Sequence, residues 1–243
     1  MSLNLIFWII FFAIIVMAFI TVSVQKAFQE KNKKYALKQS SSQKTGAEVA
    51  RAILEKNGIT NVKVIKGREG LDHFDPKSNL ISLSPSIYDS SSVSAMAIAA
   101  HECGHALQWA KKSIMIRFRD TIAVPVQIAT QVGQMMFSMS LFILLFSVGS
   151  AIEKWLLWTT VAGLFIYGAM GLFQLITLPV EFGASMKAKK ELKELKFMVT
   201  ENDIEGTKRV LNAAAMTYVV SFVTTILTLA LFVVRLLLLI RRN

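Results

Sequence analysis

The chain has 243 residues, of which 53% are hydrophobic and 18% charged, with a net charge of +11, and its mean hydropathy is +0.50. This balance excludes a disordered polypeptide and an ordinary water-soluble domain, and directs the reading to a protein of the bilayer. A single cysteine, Cys103, excludes an intramolecular disulfide and fits a reducing compartment.

Residues 4 to 24 carry no charge and as a helix extend about 30 Å, the thickness of a bilayer's hydrocarbon core. No Lys or Arg precedes the run and no small-residue cleavage site follows it, so it reads as a retained anchor rather than a signal peptide. The next stretch, QKAFQEKNKKYALKQSSSQKTG, is basic and then serine-rich. It reads as a solvated linker whose Lys26, Lys31, Lys33 and Lys34 can also lie against anionic headgroups. Thr45 to Glu48 form a capping-box pattern opening a short amphipathic helix, with Val49, Ala50, Ile53 and Leu54 inward and Asn57-Gly58 as its stop. VKVI at 62–65 has strand character, and LDHFDPKSNLISLS supplies a hairpin turning between Asp75 and Asn79. Its second arm places Leu80, Ser82 and Ser84 on one face and Ile81 and Leu83 on the other; at a sheet edge it would pair with an extended substrate. His73, beside Asp72, reads either as a structural strand residue or as a helper at an oxyanion or metal ligand.

Ser91 and Ser92 then cap the run VSAMAIAAHECGHALQWA, free of Gly and Pro until Gly104, which predicts one helix over 93–110. Residues four apart share a helix face, so His101 and His105 can offer ring nitrogens to one zinc ion at roughly 2.0–2.1 Å. Glu102 flanks that face, where a carboxylate can take a proton from a water attacking a peptide carbonyl; this is the HExxH arrangement of zinc peptidases. Cys103 points away. A histidine on an apolar helix is often only a packed core residue, but the chain has three histidines and two fall in this motif.

Three further apolar runs, 124–150, 155–179 and 213–240, bring the expected membrane spans to four. The middle pair is separated only by the stretch around Glu153 and Lys154 and forms a hairpin. Polar residues in the second span, Gln127, Gln131 and Gln134 with Pro125 and Gly133, suit contacts with neighbouring helices or a wet cavity. Sixteen Lys or Arg fall between residues 26 and 119 and seven between 187 and 209. The positive-inside rule therefore places both segments on the cytoplasmic face and accounts for the charge without nucleic acid. Arg241 and Arg242 dissent, and Arg235 must snorkel or find a buried partner.

The third span ends in LPVEFGASMKAKKELKEL. Glu181, just past Pro179, opens an amphipathic helix, and is either the third metal ligand or an N-terminal glutamate stabilised by the helix dipole. Spacing leaves both open. ENDIEGTKRVLNAAAMTYVVSF leads into the fourth span as one helix capped by Asn202 or Asp203, and its Tyr218 reads as an oxyanion donor or an interfacial aromatic.

With TGAEVARAILEKNGI, LDHFDP, ISLSPSIY, SVSAMAIAAHECGHALQ, LPVEFGAS and VLNAAAMTYVV assembled, the chain resembles the membrane-bound neutral zinc metallopeptidases of the YugP type over nearly its whole length. It is more distantly similar to the HtpX-type membrane peptidases, which also place two spans between HExxH and a downstream Glu. The resemblance implies His101, His105 and Glu181 as ligands of Zn2+ and Glu102 as general base. One departure stands out: the family commonly has Asp or Asn two residues after this Glu, and this chain has Gly183. Loss of a ligand-orienting group costs metal affinity, typically 10–100-fold, unless Ser185 or a backbone group takes its place.

The expected architecture is a mainly α, polytopic membrane protein with four transmembrane helices and a small HExxH zinc-peptidase domain carrying a short β-hairpin. Its divisions are transmembrane helix 1 at 1–25, a cytoplasmic peptidase region at 26–120, a transmembrane hairpin at 121–180, a helical segment with the third ligand at 181–212, and transmembrane helix 4 with the C-terminus at 213–243. The expected function is a zinc endopeptidase in a bacterial plasma membrane, its active site cytoplasmic, acting on membrane-associated or unfolded proteins. The alternatives are an intramembrane site-2-type protease, against which stands the lack of an NPDG-like motif, and a catalytically weak scaffold or adaptor.

Overall fold

The computed structural model describes residues 3–146 and 150–242. The chain is mainly helical, with a long N-terminal helix α1 (Leu3–Ala36), α2 (Gly46–Lys56), strands β1 (Lys63–Lys66), β2 (His73–Asp75) and β3 (Leu80–Leu83), a short α3 (Pro85–Tyr88), α4 (Val93–Ala110), α5 (Ile114–Phe146), α6 (Ser150–Glu194) and α7 (Glu201–Arg242). It divides into two units: residues 1–23, 119–176 and 218–243 form one, and residues 24–118 and 177–217 the other.

The first unit is built from the apolar parts of the long helices. Within it the Tyr167 and Phe232 rings meet at 5.4 Å, and Gln174 Nε2 donates to Ser221 Oγ at 2.9 Å, a polar bridge between apolar helices. Among the described residues three helices, α1, α6 and α7, are long and apolar enough to cross a membrane, and the most apolar stretch of α1 is 0% buried by protein. Large side chains such as Trp8, Phe12, Phe19 and Phe165 stand more than half exposed. Apolar surface on that scale calls for lipid. The second expected span, 124–150, is helical as far as Phe146, and its far end lies outside the described residues.

The second unit has a core of its own. The capping box of α2 forms as its sequence requires: Thr45 Oγ1 accepts from Glu48 N at 3.3 Å, and Glu48 Oε2 accepts from Thr45 N at 2.8 Å. This sets the helix so that Val49, Ala50, Ile53 and Leu54 are buried. They pack on α4, whose alanine-rich sequence offers Ala95, Ala97, Ala99 and Ala100 at no exposure and lets neighbouring backbones come close. The sheet order is β1-β3-β2, with β1 parallel and β2 antiparallel to β3. The hairpin arm carrying Ile81 and Leu83 is therefore the central strand rather than an edge. Both of its backbone flanks are paired, and the open edges belong to β1 and β2.

The stretch after the first apolar run is not a free linker. α1 continues through it to Ala36, burying Tyr35 in the core, because no Gly or Pro interrupts residues 25–36. The serine-rich segment then docks: Ser40 N donates to Ser91 O at 2.9 Å, and Ser41 bonds the Asp203 carboxylate through both its amide and its hydroxyl. Thr200, one turn earlier than Asp203, is the N-cap of α7. Its hydroxyl accepts from Asp203 N at 3.2 Å while Asp203 Oδ2 accepts from Thr200 N at 3.0 Å, so Asp203, the third residue of the helix, is the partner in a second capping box and not the cap itself. Asp203→Ala removes the box and both bonds that tie the exposed Ser41 to α7. We expect it to lower the thermal midpoint of the detergent-solubilised chain by more than Thr45→Ala, which removes one cap worth about 1 kcal/mol; equal shifts in a fluorescence melt would show that the Ser41 tie contributes nothing.

Candidate metal centre

α4 begins where the sequence places it: Ser92 Oγ accepts from Ala95 N at 3.1 Å, and Ser94, the second residue of the helix, donates its hydroxyl to Asn32 of α1. His101 and His105 then fall on one face with ring centroids 4.8 Å apart. The opposite side of α4 meets α2, where Cys103 Sγ lies 3.5 Å from Ala50 O. Burial, reinforced by the charges of Glu102 and Glu191, pushes the Cys103 thiol well above its ordinary pKa. It stays a neutral packing group, turned from the histidines, as its spacing predicts.

What brings the third residue in is a close crossing of α4 and α6. A Cβ built at Gly104 would stand 2.4 Å from the Ala184 carbonyl oxygen, so any side chain there forces the helices apart. At the crossing, Glu181 Oε2 lies 3.2 Å from His101 Nε2 and 3.6 Å from His105 Nε2. α6 runs unbroken through Pro179 to Glu194. Glu181 is thus inside a helix, and its reading as a glutamate at a helix N-terminus falls. Pro179 removes one backbone N–H but starts nothing new.

Both imidazoles are held from behind. Gln108, a further three residues along the histidine face, uses its amide twice: Nε2 donates to Val180 O at 2.8 Å, and Oε1 faces His105 Nδ1 at 3.2 Å. A carbonyl can only accept, so Val180 fixes which way the amide points. Oε1 must then accept from His105 Nδ1–H, and the Nε2 lone pair is left facing Glu181. Ser185, one turn beyond Glu181, places its hydroxyl 3.2 Å from His101 Nδ1 and holds the outer nitrogen of the other ring, as donor or as acceptor.

Gly183 gains a physical reason as well. A Cβ there would stand 2.7 Å from Gln108 Nε2, so the bare position leaves the room that the Gln108 amide occupies. The sequence reading had marked Ser185 as a substitute for the side chain missing at 183 and had passed over Gln108. The signal was present in its spacing, seven residues from His101 and three from His105 on one helical stripe.

The three donors His101, His105 and Glu181 offer ligand atoms all within 4.8 Å of one another. They are 8% exposed or less at the Glu181 and His105 side chains, and both rings turn Nε2 toward Glu181, so the donor set fits a single divalent ion of the zinc type. Glu102, 8% exposed, follows His101 directly on α4. His73 is exposed on β2 and turns its Nδ1 to Leu71 O at 3.2 Å, away from this group. Tyr218 belongs to the first unit and is 39% exposed. α4 is not among the helices suited to cross a membrane, and its burial in the core of the second unit removes the apolar reason for placing it in lipid.

A histidine pair one turn apart on a buried helix, faced by a carboxylate from a second helix, is a donor set that could hold a metal ion, of the kind HExxH metallopeptidases use. The chain belongs to the family described as "Putative neutral zinc metallopeptidase", whose model matches residues 8–237. It is 37% identical over 201 residues, 82% of this chain and 84% of the relative, to a Bacillus subtilis (strain 168) protein named "Putative membrane protease YugP". No solved structure matches it.

Two substitutions test the geometry without touching a donor. Gln108→Leu keeps the packing volume and removes both amide bonds; zinc affinity measured by chelator competition is expected to fall 10–100-fold, and unchanged affinity would rule out the buttressing role. Gly104→Ala sets a methyl against the Ala184 carbonyl, and is expected to weaken zinc binding at least as much while α4 stays helical by circular dichroism.

Proposed function

We propose that the chain is a membrane-anchored zinc endopeptidase that hydrolyses peptide bonds of membrane-associated or unfolded proteins. The observation that carries the proposal is the convergence of the His101, His105 and Glu181 ligand atoms within 4.8 Å, each ring with its outer nitrogen already engaged. Zinc bound there supplies Lewis acidity, acidifying a water and polarising the scissile carbonyl.

The chain's own residues do the rest. Glu102 takes the proton of the attacking water on a carboxylate oxygen and returns it to the nitrogen of the departing amine as the carbon–nitrogen bond breaks. Gln108 and Ser185 hold the two imidazoles against rotation, so the coordinating nitrogens need no rearrangement as charge develops. Three protein ligands leave a position open, as a catalytic site requires and a structural one does not.

Two further readings go with this function. The fourth span is completed by residues 124–150, making a hairpin with the next span. The peptidase unit, which carries most of the Lys and Arg, faces the cytoplasm of a bacterial cell, in accord with the positive-inside rule.

The test is zinc content and casein cleavage on detergent-purified chain. Wild type is expected to carry one zinc and to cleave. Glu102→Gln should keep the zinc and lose turnover by several orders of magnitude, whereas Glu181→Ala should lose both. Zinc-free wild type, or a Glu102→Gln variant that still cleaves, would remove the peptidase assignment.

A further inference from the structure

Outside the metal centre, the second unit contains a groove between the start of α7 and the part of α1 that follows its apolar run. It encloses about 260 Å3. One end is apolar, lined by Val24 and Ala27 of α1 and by Ala213 and Met216 of α7. The other end is basic, lined by Lys31, Lys208 and Arg209. The helices run in opposite senses through this gradient. α1 passes from its charge-free run at residues 4–24 toward Lys31, and α7 passes from Lys208 and Arg209 into its apolar run. Their changes of polarity therefore fall at the same level.

The charges at the basic end are not balanced within the protein. Glu205 also lines the groove, but it accepts from Arg209 Nε at 2.6 Å and is committed there. Among the described residues no ion pair engages Lys31 or Lys208. A further cation stands at the rim: Lys189 of α6 donates to Asn212 Oδ1 at 3.0 Å, within reach of repulsion from Lys208. Gathering like charges beside a half-enclosed cavity costs free energy that a bound anion would offset.

We propose that this groove holds one anionic phospholipid, its phosphate on Lys31, Lys208 and Arg209 and its acyl chains along Val24, Ala27, Ala213 and Met216. The proposal rests on the reading that α1 and α7 cross a bilayer. A soluble phosphate would satisfy the basic end and leave the apolar end without an occupant, and a zwitterionic lipid would satisfy the apolar end without answering the charge. The groove is lined by residues of α1 and α7, two helices long and apolar enough to cross a membrane.

The test uses the full chain in a mild non-ionic detergent, with dioleoyl phosphatidylglycerol and dioleoyl phosphatidylcholine as probes. Native mass spectrometry counts retained lipid, and a thermal melt reads stabilisation. Wild type is expected to retain one phosphatidylglycerol in preference to phosphatidylcholine and to melt higher with it. Combined Lys31→Gln, Lys208→Gln and Arg209→Gln should weaken retention about tenfold or more. The same loss of charge at the exposed Lys26, Lys33 and Lys34 should change it little. Ala27→Phe, which fills the groove with all charges kept, should weaken it as well.

Equal retention in both triple variants, or in wild type and Ala27→Phe, would overturn the groove as the site. Equal stabilisation by inorganic phosphate would overturn the lipid as occupant. A chain that fails to partition into vesicles of either lipid would remove the membrane reading itself, an outcome separate from partitioning without preference.

Discussion

The centre depends on one close approach, that of Gly104 on α4 to the Ala184 carbonyl on α6. Helix axes separated by ordinary side chains stand 8–10 Å apart, and a glutamate reaching across a wider gap would have to extend away from its own helix to meet two imidazoles. With no side chain at 104, the backbones nearly touch. Glu181, three residues before Ala184, then faces the histidine three residues before Gly104 and the one just after it. Gln108 and Val180 close the same crossing one turn away, so the hydrogen bond that fixes the His105 tautomer also ties the two helices together.

That crossing is backed by a core able to hold it. α4 is buried almost throughout, its alanines against α2 on one side and Gly104 against α6 on the other. α6 is in turn tied to the end of α2, where the buried Glu191 accepts from Lys56 Nζ at 2.9 Å and from Asn57 Nδ2 at 3.0 Å. An ion pair of this kind, half-buried and sharing a second donor, holds better than an exposed one. α6 thereby carries Glu181 of the candidate metal centre on the same helix whose earlier residues are apolar enough to cross a membrane.

The distribution of charge follows the same division. The cations are gathered on the unit that holds the metal centre, and the long apolar helices leave their surfaces uncovered by protein. Where α1 and α7 pass from one character to the other, the protein presents a basic end and an apolar end side by side, the pattern of an amphiphile's own polarity.

Much was legible in the sequence for local reasons. The capping box of α2, the helix over 93–110, the inward face of α2 and the one-turn spacing of His101 and His105 are each determined by residues within a turn or two of one another, and periodicity reports such features directly. The approach of Glu181 to the histidines was legible only through the family resemblance, because eighty residues intervene and a helix-terminal glutamate has equal local support. The unbroken course of α6 through Pro179 removes that alternative. The hairpin was readable, but its second arm became a central strand because β1 adds to it in parallel, a long-range pairing that alternation cannot show. The basic, serine-rich stretch looked solvated by composition, yet Asp203, some 160 residues on, gave Ser41 a partner. Sequence by itself determined which residues can bind a metal and which helices suit a bilayer; tertiary structure decided which of them meet, since a bare Gly104 permits a contact whose partner no local pattern names.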